Sequence, residues 1–364
     1  MKPKILHIQK IKGISGSEKH LVDLLTGLVK DFEIHFLFLE EPNLSQDVYA
    51  SFFKESGVVI HRMTLSGNID IPLIFRLARF IRTEHFALIH THLIHADIHG
   101  AFAAKLAGVP SVSSKHGWDI YERMNFSQRK LLQLASRLPK AFISISKALV
   151  PFVSQYEGVS SNKITVISYG LDPVQVPSFS PQLFEESALR LFYLGRLVAE
   201  KGVFELIDAM AELKAQGAQV YLDMAGMGPL FEDLKRHIQN KDVDDRVQLL
   251  GFQNDVMSLI ASHHALILPT YGEGFGLVCL EAMAMKRAVL ASHVTSLPDI
   301  IVDGVTGVLF EARSSQSIVQ AIQPLLGQQA TLKKMGEVGY ERLLTHFSSK
   351  AMVDSTAAFY RQLL

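Results

Sequence analysis

Short runs of apolar, β-branched residues recur along this chain, each followed by a loop and then a helical stretch. That alternation constrains the fold more than any other feature. A strand buried on both faces reads as a continuous apolar run, and reaching the next parallel strand requires a crossover, usually a helix. KILHIQ, EIHFLFL, GVVIHRM, FALIHTH, SVSSKHG, AFISIS and KITVISYG read as strands of one sheet, with helical stretches such as SEKHLVDLLTGLVK and HADIHGAFAAKLAG between them. From Leu171 to about Ser187 the pattern stops, and Pro173, Pro177, Pro181 and several serines mark a linker. It restarts as LRLFYLGR, a helix near 202–216, QVYLDMAG, a helix near 229–239, RVQLLGF, ALILPT, a helix from about Gly276, AVLASH and GVLFEA. The last stretch, 348–364, is helical.

The expected fold class is α/β. Two parallel-sheet domains span 1–172 and 188–347, a linker covers 173–187, and the helix 348–364 packs back on the first domain. In open parallel sheets ligands bind outside the carboxyl ends of the strands. If the two domains face each other, the cleft between them is the expected site. The loops that follow strands are therefore the ones to read.

Composition narrows the function classes. Of 364 residues 48% are apolar and 20% charged, within the range of folded soluble domains. Lys+Arg and Asp+Glu both number 36, which argues against a nucleic-acid partner. Cys279 is the single cysteine, so neither an intrachain disulfide nor a thiolate zinc cluster can form. No apolar run reaches the roughly 18 residues of a membrane span, and MKPKILHIQK has no signal-peptide core. The expected location is the cytoplasm. Charge divides unevenly: residues 1–180 hold 20 basic against 15 acidic side chains, and residues 181–364 hold 16 against 21. A first domain with net charge +5 suits an anionic surface or acceptor.

Four loops carry chemistry. KGISGSEKH places Gly13 and Gly16 before a helix, where a backbone can approach an anion closely. SSKHG puts His116 at the end of a strand, placed to bond a hydroxyl or move a proton. GRLVAEKG sets Arg196 and Lys201 just after a strand, a planar donor fork and a compact charge suited to a diphosphate. YGEGFGLVCLEAMAM is the most specific. Glu273 lies in the loop, Phe275 and Gly276 lead into a helix, and the amides near Gly276, Leu277 and Val278 can hold phosphate oxygens. Glu281, two turns along, can hold a ribose diol. Two further groups read differently. In HTHLIHADIHG, His95 and His99 are four apart as a metal pair would be, but no carboxylate completes a ligand set. Asp242-Val243-Asp244 reads as solvated surface.

These motifs, with MAGMGP at 224–229 and PDIIVDGVTG at 298–307, resemble retaining glycosyltransferases of the GT-B fold, family four (glycosyl transferases group 1). The resemblance runs through nearly the whole chain. It departs at Ser15-Gly16, where many relatives carry two glycines. It implies two Rossmann-like domains facing across a cleft, the first for the acceptor and the second for a nucleotide sugar, with a UDP-sugar as the expected donor. Arg196 and Lys201 would neutralise the leaving diphosphate, which Gly16 would abut. Glu281 would hold the ribose, and the backbone near Phe252 would meet the base. Glu273 and His116 would position the donor sugar, His116 through its 6-hydroxyl. No metal or other cofactor is implied. The implied reaction is transfer of a hexose-type sugar to a glycan, glycolipid or lipopolysaccharide-type acceptor in cell-envelope polysaccharide synthesis. A nucleotide-sugar epimerase or hydrolase, or a non-catalytic nucleotide-binding partner, is the alternative.

Two basic and apolar segments of the first domain suggest peripheral contact with the inner face of the cytoplasmic membrane. IPLIFRLARFIR, 71–82, carries Arg76, Arg79 and Arg82 beside an apolar face of Leu73, Ile74, Leu77 and Phe80. YERMNFSQRKLLQLASRLPK, 121–140, carries Arg123, Arg129, Lys130, Arg137 and Lys140.

Overall fold

The computed structural model describes residues 2–11, 13, 16–42, 46–117, 121, 124–173 and 188–364. Most of the linker expected at 173–187, together with Ser15 and Arg123, lies outside the described residues.

The chain divides into two compact units, Met1–Gly170 with Ser349–Leu364, and Leu171–Ser348. Seven strands build the first: β1 (Lys4–Lys10), β2 (Glu33–Glu40), β3 (Val59–Thr64), β4 (Leu88–His92), β5 (Ser111–Lys115), β6 (Ala141–Ser144) and β7 (Ile164–Val166). Six build the second: β8 (Leu189–Leu194), β9 (Val220–Ala225), β10 (Val247–Gly251), β11 (Ala265–Leu268), β12 (Ala288–Ser292) and β13 (Gly307–Phe310). Each coincides with one of the apolar runs that the sequence marks as a strand. The sheet orders are β3-β2-β1-β4-β5-β6-β7 and β10-β9-β8-β11-β12-β13, and all their strand pairings are parallel.

Both orders reverse direction once, between β1 and β4 in the first unit and between β8 and β11 in the second. At such a switch point the loops leaving two neighbouring strands diverge, and a crevice opens at their carboxyl ends. The loops so placed in the second unit are those after β8 and β11, which carry GRLVAEKG and YGEGFG.

The first sheet is covered on both faces. Helix Gly16–Leu28 contributes Leu21, Leu24, Leu25 and Leu28 to one core, in which Met352, Ala357, Phe359 and Tyr360 of the terminal helix Ser349–Leu363 also sit. The other core takes Leu73, Leu77 and Ile81 from helix Ile71–Thr83 and Ala96, Ala103 and Ala104 from helix Leu93–Ala107. Helix Ile71–Thr83 starts cleanly: Asp70 accepts a bond from the Leu73 amide and Pro72 occupies the first turn. Its apolar stripe spends Leu73 and Leu77 on the core, so the face expected to meet a membrane is already occupied. What remains in solvent is Ile71 and Phe75, each about 60% exposed, alongside Arg76, Arg79 and Arg82.

The second unit has one large core, to which helix Val203–Ala215 contributes Val203, Leu206, Ile207, Met210 and Leu213. The string Asp242-Val243-Asp244 lies in its connection to β10; Asp242 is bonded by Lys214, and Val243 between the aspartates is buried.

Candidate functional site

In the second unit the structure brings together two side chains 72 residues apart: the Lys201 ammonium bonds a carboxylate oxygen of Glu273, and each side chain is 17% exposed. Both loops are tied to each other through their backbones. Tyr271 donates its amide to the Glu200 carbonyl at 2.8 Å, and the Thr270 hydroxyl reaches the same oxygen at 3.2 Å. Gly202 permits this approach. Its φ is +65°, and a Cβ there would fall 2.0 Å from the Pro269 carbonyl oxygen. The loop around Glu273 is held from a third side. Thr295 Oγ1 accepts from the Glu273 amide at 2.9 Å, and Ser296 Oγ donates to the Phe275 carbonyl at 2.8 Å. Sequence reading missed Thr295 and Ser296. Their pairing with the loop is set by the neighbouring strand β12, which no local pattern reveals.

Gly276, with φ +97°, caps the helix Leu277–Ala284, so its first-turn amides at Leu277 and Val278 start directly after the Lys201–Glu273 pair. Phe275 is buried, and Glu281 is buried further along the same helix. Arg196 is exposed after β8, with its carbonyl accepting from the Tyr193 hydroxyl at 3.0 Å. Phe252 follows β10 and is 73% exposed. No bond joins its side chain to the Lys201–Glu273 pair among the described residues. A partly shielded ammonium, an exposed guanidinium and a helix N-terminus, in the loops that follow β8 and β11, are groups of the kind that can bind an anion. At rest, Lys201 is partly neutralised by Glu273. Glu273→Gln is therefore expected to tighten UDP binding by a few-fold, about 0.5–1 kcal/mol, while turnover falls. Isothermal titration of UDP against both proteins checks this; weaker UDP binding in Glu273→Gln would show that the carboxylate itself contacts the ligand.

Gly16 and His116 belong to the first unit. Gly16 opens helix Gly16–Leu28 after β1. His116 follows β5, with both ring nitrogens engaged: Nδ1 lies 2.7 Å from the Tyr169 hydroxyl and Nε2 lies 3.0 Å from His92 Nδ1. A ring contact to a sugar hydroxyl therefore requires His116 to exchange one of these partners. Burial pushes its pKa down to about 4, so the ring is neutral near pH 7. His20 stacks on Tyr169 with ring centroids 4.0 Å apart. Among the described residues two buried polar atoms here have no partner, Gln9 Oε1 and His20 Nδ1. The next residue before His116 is anchored just as firmly. Lys115 is buried between Asp97 at 2.7 Å and Glu157 at 2.8 Å. Burial opposes its charge, yet the two carboxylates hold its pKa above the usual lysine value. Asp97 is thus committed to Lys115, Thr91 and Ser113. His99 is committed as well, bonding the Asp70 amide and the His95 carbonyl, which leaves no ligand pair for a metal at His95 and His99.

Comparison with known proteins identifies the family and the fold. Residues 14–175 match the domain family described as Glycosyltransferase Family 4, and residues 177–342 match Glycosyl transferases group 1. The N-acetyl-alpha-D-glucosaminyl L-malate synthase of Bacillus anthracis is 27% identical, covering 97% of this chain and 94% of that protein. The alpha-D-kanosaminyltransferase of Streptomyces kanamyceticus is 32% identical over 175 residues, and the match covers 48% of this chain and 45% of that protein's length. In fold, the chain is similar to Anabaena Alr3699/HepE in complex with UDP and glucose, with a TM-score of 0.85, 20% identity, and 99% and 100% of the two chains covered. The chain belongs to the family-four glycosyltransferases and has their GT-B fold.

Proposed function

We propose that the protein transfers a hexose-type sugar from a UDP-sugar to a carbohydrate or lipid-linked acceptor with retention of anomeric configuration, without a metal. The observation that carries this is the convergence of Lys201, Glu273 and the helix starting at Leu277 at the switch point between β8 and β11. The solved relative's complex with UDP and glucose supports the choice of donor class. Arg196, Lys201 and the amides at Leu277 and Val278 stabilise the leaving diphosphate, Glu281 holds the ribose, and the backbone near Phe252 meets the base. Glu273 positions the sugar. His116 bonds its 6-hydroxyl once that hydroxyl replaces Tyr169. Gly16 lets the first-unit loop approach the diphosphate or acceptor.

In the same-face form of the reaction the bond from the anomeric carbon to the phosphate oxygen breaks. The bond to the acceptor oxygen forms on the same face, and the acceptor proton passes to the departing phosphate oxygen. The cations stabilise the charge developing on that oxygen, the role a metal fills in other sites. Incubating the protein with a panel of UDP-sugars and glycan or glycolipid acceptors tests this. Product with the α-configured linkage of the donor, formed at an unchanged rate in EDTA, is expected. Activity lost in EDTA and restored by a divalent ion would remove the metal-free form, and transfer to malate alone would replace the acceptor.

The acceptor side is proposed to meet the inner face of the cytoplasmic membrane through helix Ile71–Thr83. Among the described residues no helix is long and apolar enough to cross a membrane. Exposed Ile71 and Phe75 beside three arginines suit surface binding to anionic lipid, each basic residue contributing about 1 kcal/mol near the surface. Sedimentation with phosphatidylglycerol vesicles is expected at low salt and not at high salt. No binding at low salt, or binding unchanged in the Arg76→Gln, Arg79→Gln, Arg82→Gln triple variant, would point to a soluble acceptor.

A further inference from the structure

The first unit holds an unbroken file of buried hydrogen-bonding side chains. Ser114 Oγ lies 2.7 Å from His90 Nε2, and His90 Nδ1 bonds the Tyr360 hydroxyl. That hydroxyl is 3.3 Å from His7 Nε2, and His7 Nδ1 is 3.0 Å from His92 Nε2. His92 Nδ1 is 3.0 Å from His116 Nε2, and His116 Nδ1 is 2.7 Å from Tyr169. Strands β1, β4 and β5, the loops after β5 and β7, and the terminal helix contribute. His7 on β1 sits opposite His90 on β4 in the parallel register, and His92 follows His90 by two residues, on the same face of the sheet. His7, His90, His92 and Tyr360 are fully buried.

Burial holds all four imidazoles neutral at pH 7, His7 with a pKa pushed down to about 3. A neutral imidazole carries one donor and one acceptor, so each ring passes on the direction set by its neighbour. The whole file must therefore run one way. Its direction is decided at the Ser114 end. Among the described residues Ser114 Oγ has one partner, His90. If His90 donated to it, the serine hydrogen would be buried with no acceptor. If Ser114 donates, each bond along the file is made and Tyr169 is left to donate at the far end. Leaving a buried donor without an acceptor is costly enough to select one direction.

We propose that Ser114, His90, Tyr360, His7, His92, His116 and Tyr169 form a one-way hydrogen-bond file that fixes all four histidines as Nδ1–H tautomers, with His92 and Tyr360 acting as positioning residues for His116. His116 then presents an N–H at Nδ1, where Tyr169 now sits, and its lone pair is held inward by His92. A sugar hydroxyl replacing Tyr169 would be met by a donor. This consequence rests on the role proposed for His116 in sugar binding; the file itself does not.

The same nitrogens invite a rival reading, because one ring nitrogen from each of His7, His90 and His92 lies within 4.8 Å of the others. The file leaves none of those nitrogens unused, and the cluster has no carboxylate to offset a dication. The metal reading is therefore an outcome to be tested.

The experiment is long-range ¹H–¹⁵N correlation on the full chain labelled at histidine, without donor. Five of the 15 histidines, the four of the file and His99, whose Nδ1 donates to the His95 carbonyl while its Nε2 accepts from the Asp70 amide, are expected to show the Nδ1–H pattern, which is the minor form in water. Tyr360→Phe, which removes the oxygen joining His90 to His7, is expected to give mixed tautomers at His7 while Ser114 keeps donating to His90. His92→Leu is expected to give mixed tautomers at His116 and to lower UDP-glucose turnover about tenfold with little change in KM, the scale of losing an orienting partner. His92→Gln, whose amide can still donate, restores both. Mixed or Nε2–H tautomers in the parent, an unchanged His116 in folded His92→Leu, or one equivalent of zinc retained after dialysis would overturn the file. His116→Ala with full UDP-glucose turnover would instead end the catalytic assignment of His116 and leave the tautomer pattern of the other three rings standing.

Discussion

Replacing Lys201 with alanine is expected to lower UDP-sugar turnover by about 10²–10³-fold, the effect of removing one preorganised group that stabilises charge in a transition state. The ammonium follows β8 and is bonded to Glu273, in the loop after β11 that the Tyr271–Glu200 backbone bond ties to its own. It costs no reorganisation when negative charge develops on the diphosphate. The substitution also strands the Glu273 carboxylate, which is largely shielded from water. Some loss of melting temperature should accompany the loss of activity. The double variant Lys201→Ala, Glu273→Gln separates the two effects: removing the stranded charge restores the melting temperature while turnover stays low. Turnover recovering together with stability in the double variant would reduce Lys201 to a structural ion-pair partner.

Acidification is expected to unfold the first unit well before the second. His7, His20, His90, His92 and His116 are all held below the ordinary histidine pKa, chiefly by burial. In the unfolded chain they protonate near 6.5. Folded, His116 does so near 4 and His7 near 3. Below pH 6.5 the unfolded state therefore binds more protons, so stability falls as pH falls, from 6.5 down to those folded values. Above 6.5 the contribution is constant. Each such group costs up to about 1.4 kcal/mol per pH unit, so five together cost up to roughly 7 kcal/mol per unit, against a typical stability of 5–15 kcal/mol. In the second unit His237 and His263 face the carboxylates of Asp208 and Asp223. Hydrogen exchange followed by mass spectrometry from pH 7 to pH 4.5 is expected to show protection lost across residues 1–170 first. Equal protection in both units at pH 4.5 would contradict the buried, neutral assignment.

The strands were legible because a strand covered by helices on both faces must be apolar along its length, and EIHFLFL or AVLAS can do little else. Their order was not legible. Nothing in LRLFYLGR says that its neighbours will be β9 and β11, so the meeting of Lys201 with Glu273 emerges only when the sheet is assembled. The same limit hid the histidine file. HTHLIHADIHG displays its histidines openly, yet the partners of His90, His92 and His116 include Tyr360 and Tyr169, residues 270 and 53 positions from their partners. Helix Ile71–Thr83 shows a different limit. Periodicity located the helix, but an apolar stripe does not say what it faces, and the sheet claimed Leu73 and Leu77.

The terminal helix Ser349–Leu363 completes the unit that began at the other end of the chain. On the ribosome this reverses the usual order of maturation, in which N-terminal domains finish first. The segment Leu171–Ser348 emerges whole and can close its core while the earlier-made sheet still lacks Met352, Phe359 and Tyr360. The first unit spends that interval with an uncovered apolar face, the stage at which aggregation and chaperone capture compete with folding. A stop codon that removes only the last turns would spare the adjacent unit and strand the distant one.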